Sequence, residues 1–222
     1  MAKPRVAEAS SPRRRLPRSE RRTRILTAAL EGFARQGYRD ASMAELAAAA
    51  GVTPPVLYQH FASKQDLFLA VIEHQASLLA TTIGDAADPT SAPLEARVVK
   101  TATAVLAFVA DRPHAWQLLR TTPPGDSVVA AAYARLHSGA RSLTARTTAS
   151  DRHFTAPPGI DRTIAAELFG HLQWTAYEAL GDWAAARPEL EHSDLLGIFM
   201  DFMWIGLEQH HRETHWSGNA AR

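Results

Sequence analysis

Residues 42–64 read SMAELAAAAGVTPPVLYQHFASK, and the fold turns on how this stretch is parsed. Ser42 with Glu45 three residues later is a capping-box pair, so a short helix is expected over 43–50, ended by Gly51. A second short helix follows Thr53 as N-cap, with Pro54 and Pro55 in its first turn. Proline is favoured at the first helical position because the N–H it lacks would be unpaired there anyway. Pro55 also lacks an N–H, which leaves Val56 as the only partner for a Thr53 cap. A residue before proline disfavours the α region, so this turn is expected to be distorted or to start one residue late.

Two such short helices are unstable alone. Ala47, Gly51 and Leu57 stand in the relation A-x3-G-x5-L. A small residue at Ala47 admits the next helix, Gly51 allows a positive φ, and Leu57 packs the second helix back. Those are the requirements of a helix-turn-helix, whose second helix enters the DNA major groove.

Working outward, a preceding helix is expected from Ser19 to Gly37, with Ile25, Ala28, Ala29, Leu30, Phe33 and Ala34 as its apolar stripe. A fourth starts at Ser63 and Lys64, turns Leu67, Phe68, Val71 and Ile72 inward, and runs toward Gly84. Helices are then expected over 94–110, 114–119, 127–147, 161–187 and 193–211. No period-2 run of β-branched residues and no repeat appears, so the predicted class is all-α.

The 222 residues contain no cysteine, which excludes disulfides, thiol switches and Cys-based zinc sites. Net charge is +1, but nine of the 24 basic residues lie at or before Arg24, against two acidic ones. A basic N-terminus on an acidic body suggests an anionic partner met at one end. Residues 1–19, with Arg13 to Arg15, read as a basic flexible arm suited to tracking a nucleic-acid backbone or entering a minor groove. No apolar leader is read at the N-terminus. The most apolar run, 195–207, is short and contains Asp201, so a soluble cytoplasmic protein without membrane contact is expected.

Residues 33–69, FARQGYRDASMAELAAAAGVTPPVLYQHFASKQDLFL, resemble the DNA-binding domain of the TetR/AcrR family of bacterial transcriptional regulators. The resemblance is close over residues 20–72 and architectural beyond. It departs at Pro54 and Pro55, where the family usually has a polar residue and then Gly or Ala, and at Gln59, often His or Tyr. It implies three parts: the arm at 1–19, a helix-turn-helix domain at 20–66, and a helical effector-binding and dimerisation domain at 67–222. The candidate DNA-binding residues are Ser42, Thr53, Pro54, Pro55, Tyr58, Gln59, His60 and Lys64. Tyr58 is expected on a phosphate or base edge, Gln59 on adenine, and Ser42, His60 and Lys64 on phosphates. The prolines would present rigid rings, suited to a thymine methyl, in place of backbone N–H groups.

The resemblance further implies a homodimer on a palindromic double-stranded operator, released as a repressor by a small apolar or aromatic effector. Residues 195–207, LLGIFMDFMWIGL, are apolar all round except at Asp201, which suggests burial on more than one side. On helix 161–187, Ile164, Leu168, Leu172 and Thr175 form one face, and Gly170 and Gly181 permit close approach. Both helices suit a bundle across a twofold axis. Phe108, Trp116, Leu119, Tyr133, His137, Trp174 and Tyr177 are the candidate ligand-binding residues. No catalytic residue, metal ligand or cofactor motif is assigned; Glu208, His211 and His215 have ligand-like spacing but lie at the chain end. The alternative reading is a helical ligand-binding or interaction protein whose double proline has ended DNA binding.

Overall fold

The computed structural model of the chain describes residues 17–87, 93–123 and 125–211, with side chains except at 85–87, 94 and 204–211. The basic run Arg13 to Arg15 and the terminal His215 lie outside the described residues, as do the side chains of Glu208 and His211. Among the described residues there are nine α-helices and no strand.

The first four helices arise largely from local signals. α1 (Arg18–Asp40) buries Ile25, Ala29 and Phe33 on the expected stripe and kinks at Gly37, where φ is 80°. α2 (Met43–Ala49) begins on a complete capping box: Ser42 Oγ accepts from Glu45 N–H at 3.2 Å, and Ser42 N–H donates to Glu45 Oε2 at 3.4 Å. Gly51, at φ 66°, turns the chain into α3 (Pro54–His60). The turn needs glycine for its backbone; a Cβ there would also displace the Arg24 guanidinium, 2.5 Å away at the end of a flexible side chain. Ala47 and Leu57 are fully buried where α2 meets α3.

The first turn of α3 differs from expectation. It starts at Pro54 with no delay, because Thr53 takes an extended conformation (φ −83°, ψ 154°) of the kind favoured before proline. Thr53 makes no side-chain cap hydrogen bond. The rings of Pro54 and Pro55 fix the start by themselves.

α4 (Lys64–Ala87) runs unbroken from beside α3 into the larger helical body. Its segment Lys64–Gly84 is long and apolar enough to cross a membrane by length and composition. Leu67, Phe68, Val71, Ile72, Leu79 and Ile83 are buried on it, and α1, α5, α6 and α7 pack against it. That is the surface of a core helix.

The body comprises α5 (Leu94–Asp111), α6 (Pro113–Arg120), α7 (Ser127–Ser150), α8 (Arg162–Ala186) and α9 (His192–His211). α7 and α8 pack along each other. A Cβ at Gly170 would sit 2.4 Å from the Ala145 backbone, and one at Gly181 would sit 2.3 Å from the Trp116 ring. Both glycines therefore serve packing inside the protomer. α9 is not buried on all sides: Leu195 and Phe199 point inward, while Ile198 (70% exposed) and Phe202 (76%) point out.

Candidate nucleic-acid interface and effector cavity

Thr53, Pro54, Pro55, Tyr58 and Gln59 share the open side of α3, and Tyr58 is 52% exposed although aromatic. Leu57 and Phe61, on its other side, anchor the helix to the core. Arg22 lies over the Phe61 ring at 4.6 Å. His60 is half-buried, and its pKa is lowered by burial first and then by the charges of Arg18, Arg21 and Arg22. A neutral imidazole can donate one N–H to a phosphate but brings no charge. The nearby positive field comes from the start of α1, which the reading of α3 alone did not include.

Two other candidates are already engaged. Ser42 Oγ–H donates to Glu45 Oε2 at 2.9 Å, so its hydroxyl is spent within the capping box. Lys64 Nζ donates to Arg39 O at 2.7 Å and Ala41 O at 3.1 Å, and lies 5.2 Å from the centre of the Tyr38 ring. It therefore closes the end of α1, with one N–H left over for a phosphate.

Asp126, the N-cap of α7, ties this head to the body. It accepts from Val128 and Val129 N–H, from Tyr38 Oη–H at 2.9 Å and from Gln65 Nε2–H at 2.9 Å. The Gln65 hydrogen bond leads the causes that hold the Asp126 carboxyl below its ordinary range. Burial and then the Asp126 contact push Tyr38 up to about 12. The Gln65 and Tyr38 side chains that bond Asp126 lie 61 and 88 residues away in sequence, out of reach of any local signal.

Inside the body is a cavity of about 480 Å³, walled by α4, α5, α6, α7 and α8. This size falls within the range of small-molecule sites. Five of the seven candidate ligand residues are in its wall: Trp116, Leu119, His137, Trp174 and Tyr177. Phe108 and Tyr133 are buried but are not in the wall. Tyr133 is held elsewhere by donating its hydroxyl to Leu118 O at 2.5 Å, and burial raises its pKa. Burial likewise raises Tyr177.

Sequence reading missed the charged pairs of this wall. Arg97 and Asp151 form an ion pair, both side chains about nine-tenths buried. Arg120 reaches Glu178 at 2.5 Å and Asp182 at 2.9 Å, and His137 Nδ1 lies 2.9 Å from Glu178. Burial alone would raise the Glu178 carboxyl, but the His137 hydrogen bond and the Arg120 charge outweigh it and hold the group low. The Trp174 N–H adds a smaller pull on Glu178 but makes no hydrogen bond within normal limits. These pairs span 41 to 62 residues and have no local signature. No group of three or more His, Asp or Glu suited to a metal occurs among the described residues.

On the outside of the body, Ile164 (62% exposed), Leu168 (61%) and Leu172 (58%) make an apolar ridge along α8. Ile198 and Phe202 make a second one on α9, which packs against α8.

Residues 25–71 match the family model described as bacterial regulatory proteins, tetR family. The chain is 50% identical over 72 residues to the HTH-type transcriptional activator FasR of Mycolicibacterium smegmatis, covering 32% of this chain and 33% of that one. It is 45% identical over 51 residues to the regulator UidR of Escherichia coli, covering 23% and 26%. The chain thus spans a third or less of the length of these curated relatives. A solved TetR-like transcriptional regulator from Rhodococcus sp. RHA1 superposes with a TM-score of 0.69 at 26% identity, over 87% of this chain and 99% of that one. AibR, solved with isovaleryl coenzyme A and operator DNA, shares the fold with a TM-score of 0.61 at 18% identity, over 81% and 96%. Residues 25–71 thus carry the helix-turn-helix of the tetR family of bacterial regulatory proteins, and the chain as a whole shares the fold of a solved TetR-like regulator.

Proposed function

We propose that the chain is a cytoplasmic, effector-responsive transcriptional regulator that binds a palindromic DNA operator as a homodimer. Residues 20–66 form the DNA-binding head and 67–222 the effector-binding and dimerisation body. The observation that carries this reading is α3: its core side is fixed by Leu57 and Phe61, while Tyr58, Gln59 and the proline rings stand open to solvent beside the arginines of α1. A large exposed aromatic on a helix whose other side is fully buried suits contact with a ligand surface. Tyr58 and Gln59 read base edges or phosphates, Pro54 and Pro55 present apolar rings, and Thr53 contributes a hydroxyl left without an intrahelical bond. His60 acts as a neutral donor, Lys64 reaches phosphate with its remaining N–H, and Ser42 contributes through the start of α2.

The effector enters the cavity and favours a conformation in which the two heads no longer match the half-site spacing, weakening operator binding by linkage. The regulatory sign proposed is repression. FasR of M. smegmatis is named an activator, so reporter expression with the operator before and behind a promoter is the measurement of sign.

The primary test is selection of bound duplexes from a random DNA library by the purified protein, followed by titration at two salt concentrations. A palindromic site whose affinity falls steeply with salt is the expected result. Absence of any enriched duplex, with and without ligand, would favour a helical ligand-binding protein without DNA recognition.

A further inference from the structure

We infer that the cavity is built for a charge-neutral, chain-like apolar molecule carrying a carbonyl-type acceptor, such as a ketone, ester or lactone, in preference to a carboxylate or an amine. The inference rests on the effector reading above and names the chemistry of that site.

Length comes first. The wall includes α7 residues from Arg135 to Thr148, and at 1.5 Å per residue this is about 20 Å of helix. The space between is lined mainly by aliphatic and aromatic side chains. A molecule that follows this wall must be elongated and mostly hydrocarbon.

Charge comes second. Each permanently ionic group inside the wall already has an opposite partner: Arg97 with Asp151, and Arg120 with Glu178, which the His137 ring also contacts. Glu73 and Arg135, the remaining charged wall residues, are exposed to solvent. An entering carboxylate would lose its hydration and compete with Asp151 for a guanidinium already paired. An ammonium would meet carboxylates whose charge is already matched.

Hydrogen bonding comes third. The three α7 hydroxyls of the wall spend their protons on their own helix: Thr144 donates to Ala140 O, Thr147 to Leu143 O and Thr148 to Thr144 O, while Tyr177 bonds the side chains of Thr101 and Gln173. Two buried wall groups make no hydrogen bond within normal limits, Arg97 Nε and Trp174 Nε1, the latter only weakly drawn to Glu178. Both are N–H donors. A buried donor without an acceptor is costly, so the ligand that fits best supplies an oxygen and no proton.

Trp116 and Trp174 are both in the wall, so intrinsic fluorescence of the full chain reads occupancy directly. The probes are 2-decanone, decanoate, decylamine and 1-undecene at neutral pH, where the acid and amine are ionised. The ketone is expected to bind at least about tenfold more tightly than either ion. Arg97→Lys keeps a cation opposite Asp151 but puts a methylene where Nε stood, and Trp174→Phe keeps a ring but removes its N–H. Each is expected to weaken the ketone about tenfold while leaving 1-undecene unchanged, which separates a lost donor from a damaged cavity. Decanoate or decylamine binding as tightly as the ketone would overturn the inference. So would ketone affinity that survives both substitutions, or saturable binding by none of the probes. The titration contains no DNA, so its failure leaves the operator reading intact, and failure to select a duplex leaves the titration intact.

Discussion

The turn at Gly51 and the ammonium of Lys64 show what single residues contribute to the head. Gly51→Ala places a β-carbon on a left-handed backbone and against Arg24. The expected cost is about 1–2 kcal/mol of stability, read as a lower urea midpoint with an unchanged slope. Lys64 is a sharper case, because its charge was expected on a phosphate and its side chain closes α1. Lys64→Met is expected to lower stability by about 1–2 kcal/mol, since two carbonyls lose a charged donor. A side chain acting on phosphate alone would leave the unfolding midpoint in place and change only the salt slope of DNA binding. Gly51 and the Ser42–Glu45 box could be read from sequence because every atom they use lies within a few residues. The partners of Lys64 are 23 and 25 residues upstream, and only the folded head brings them to it.

Among the elements, α3 tests how a helix works without its first two N–H donors, and the α6–α7–α8 contact tests what holds the body closed. Pro54→Ala with Pro55→Ala restores two N–H groups beside the exposed face and gives the Thr53 hydroxyl a cap partner. Affinity for the selected operator is expected to rise, with weaker discrimination at the base the rings face; equal affinity and discrimination would remove the prolines from readout. The Glu178 cluster makes a separate prediction about acid. Glu178 is held below its ordinary value of 4.5, so between its folded and ordinary values the unfolded chain binds more protons than the native one. Stability therefore rises with pH through that window and is lost as pH falls through the folded value. Glu178→Gln is expected to flatten this acid limb in melting curves taken from neutral pH downward. Helix ends were legible because Gly, Pro and capping residues act locally. The polar wall was not, since Arg97 on α5, Arg120 on α6, Asp151 at the end of α7 and Glu178 on α8 look in sequence like ordinary surface charges. Phe108 and Tyr133 illustrate the same limit: both were candidate ligand residues and both are buried, but only the packing decides which aromatic faces the cavity.

At the scale of the whole molecule, the apolar ridges on α8 and α9 are where the proposed pairing of two copies can be tested. Ile164, Leu168 and Leu172 recur every four residues on α8, as do Ile198 and Phe202 on α9, and all five face solvent. Soluble chains rarely leave such contiguous apolar surface open. Antiparallel pairing of these helices with those of a second copy would bury the same patch on both, as an isologous interface requires. Trp174 and Tyr177 turn the other way into the cavity wall, so a change on the ridge spares the cavity. Leu168→Glu and Phe202→Glu together put like charges across such an interface. The wild-type chain is expected to sediment at twice its 24.2 kDa mass and the double variant at that mass alone. Reading two half-sites requires two linked heads, so operator affinity should fall at least about a hundredfold in the variant. Probe binding followed by tryptophan fluorescence should not change. A variant that still sediments as the wild type would place the contact on another surface and leave these ridges free for a different partner.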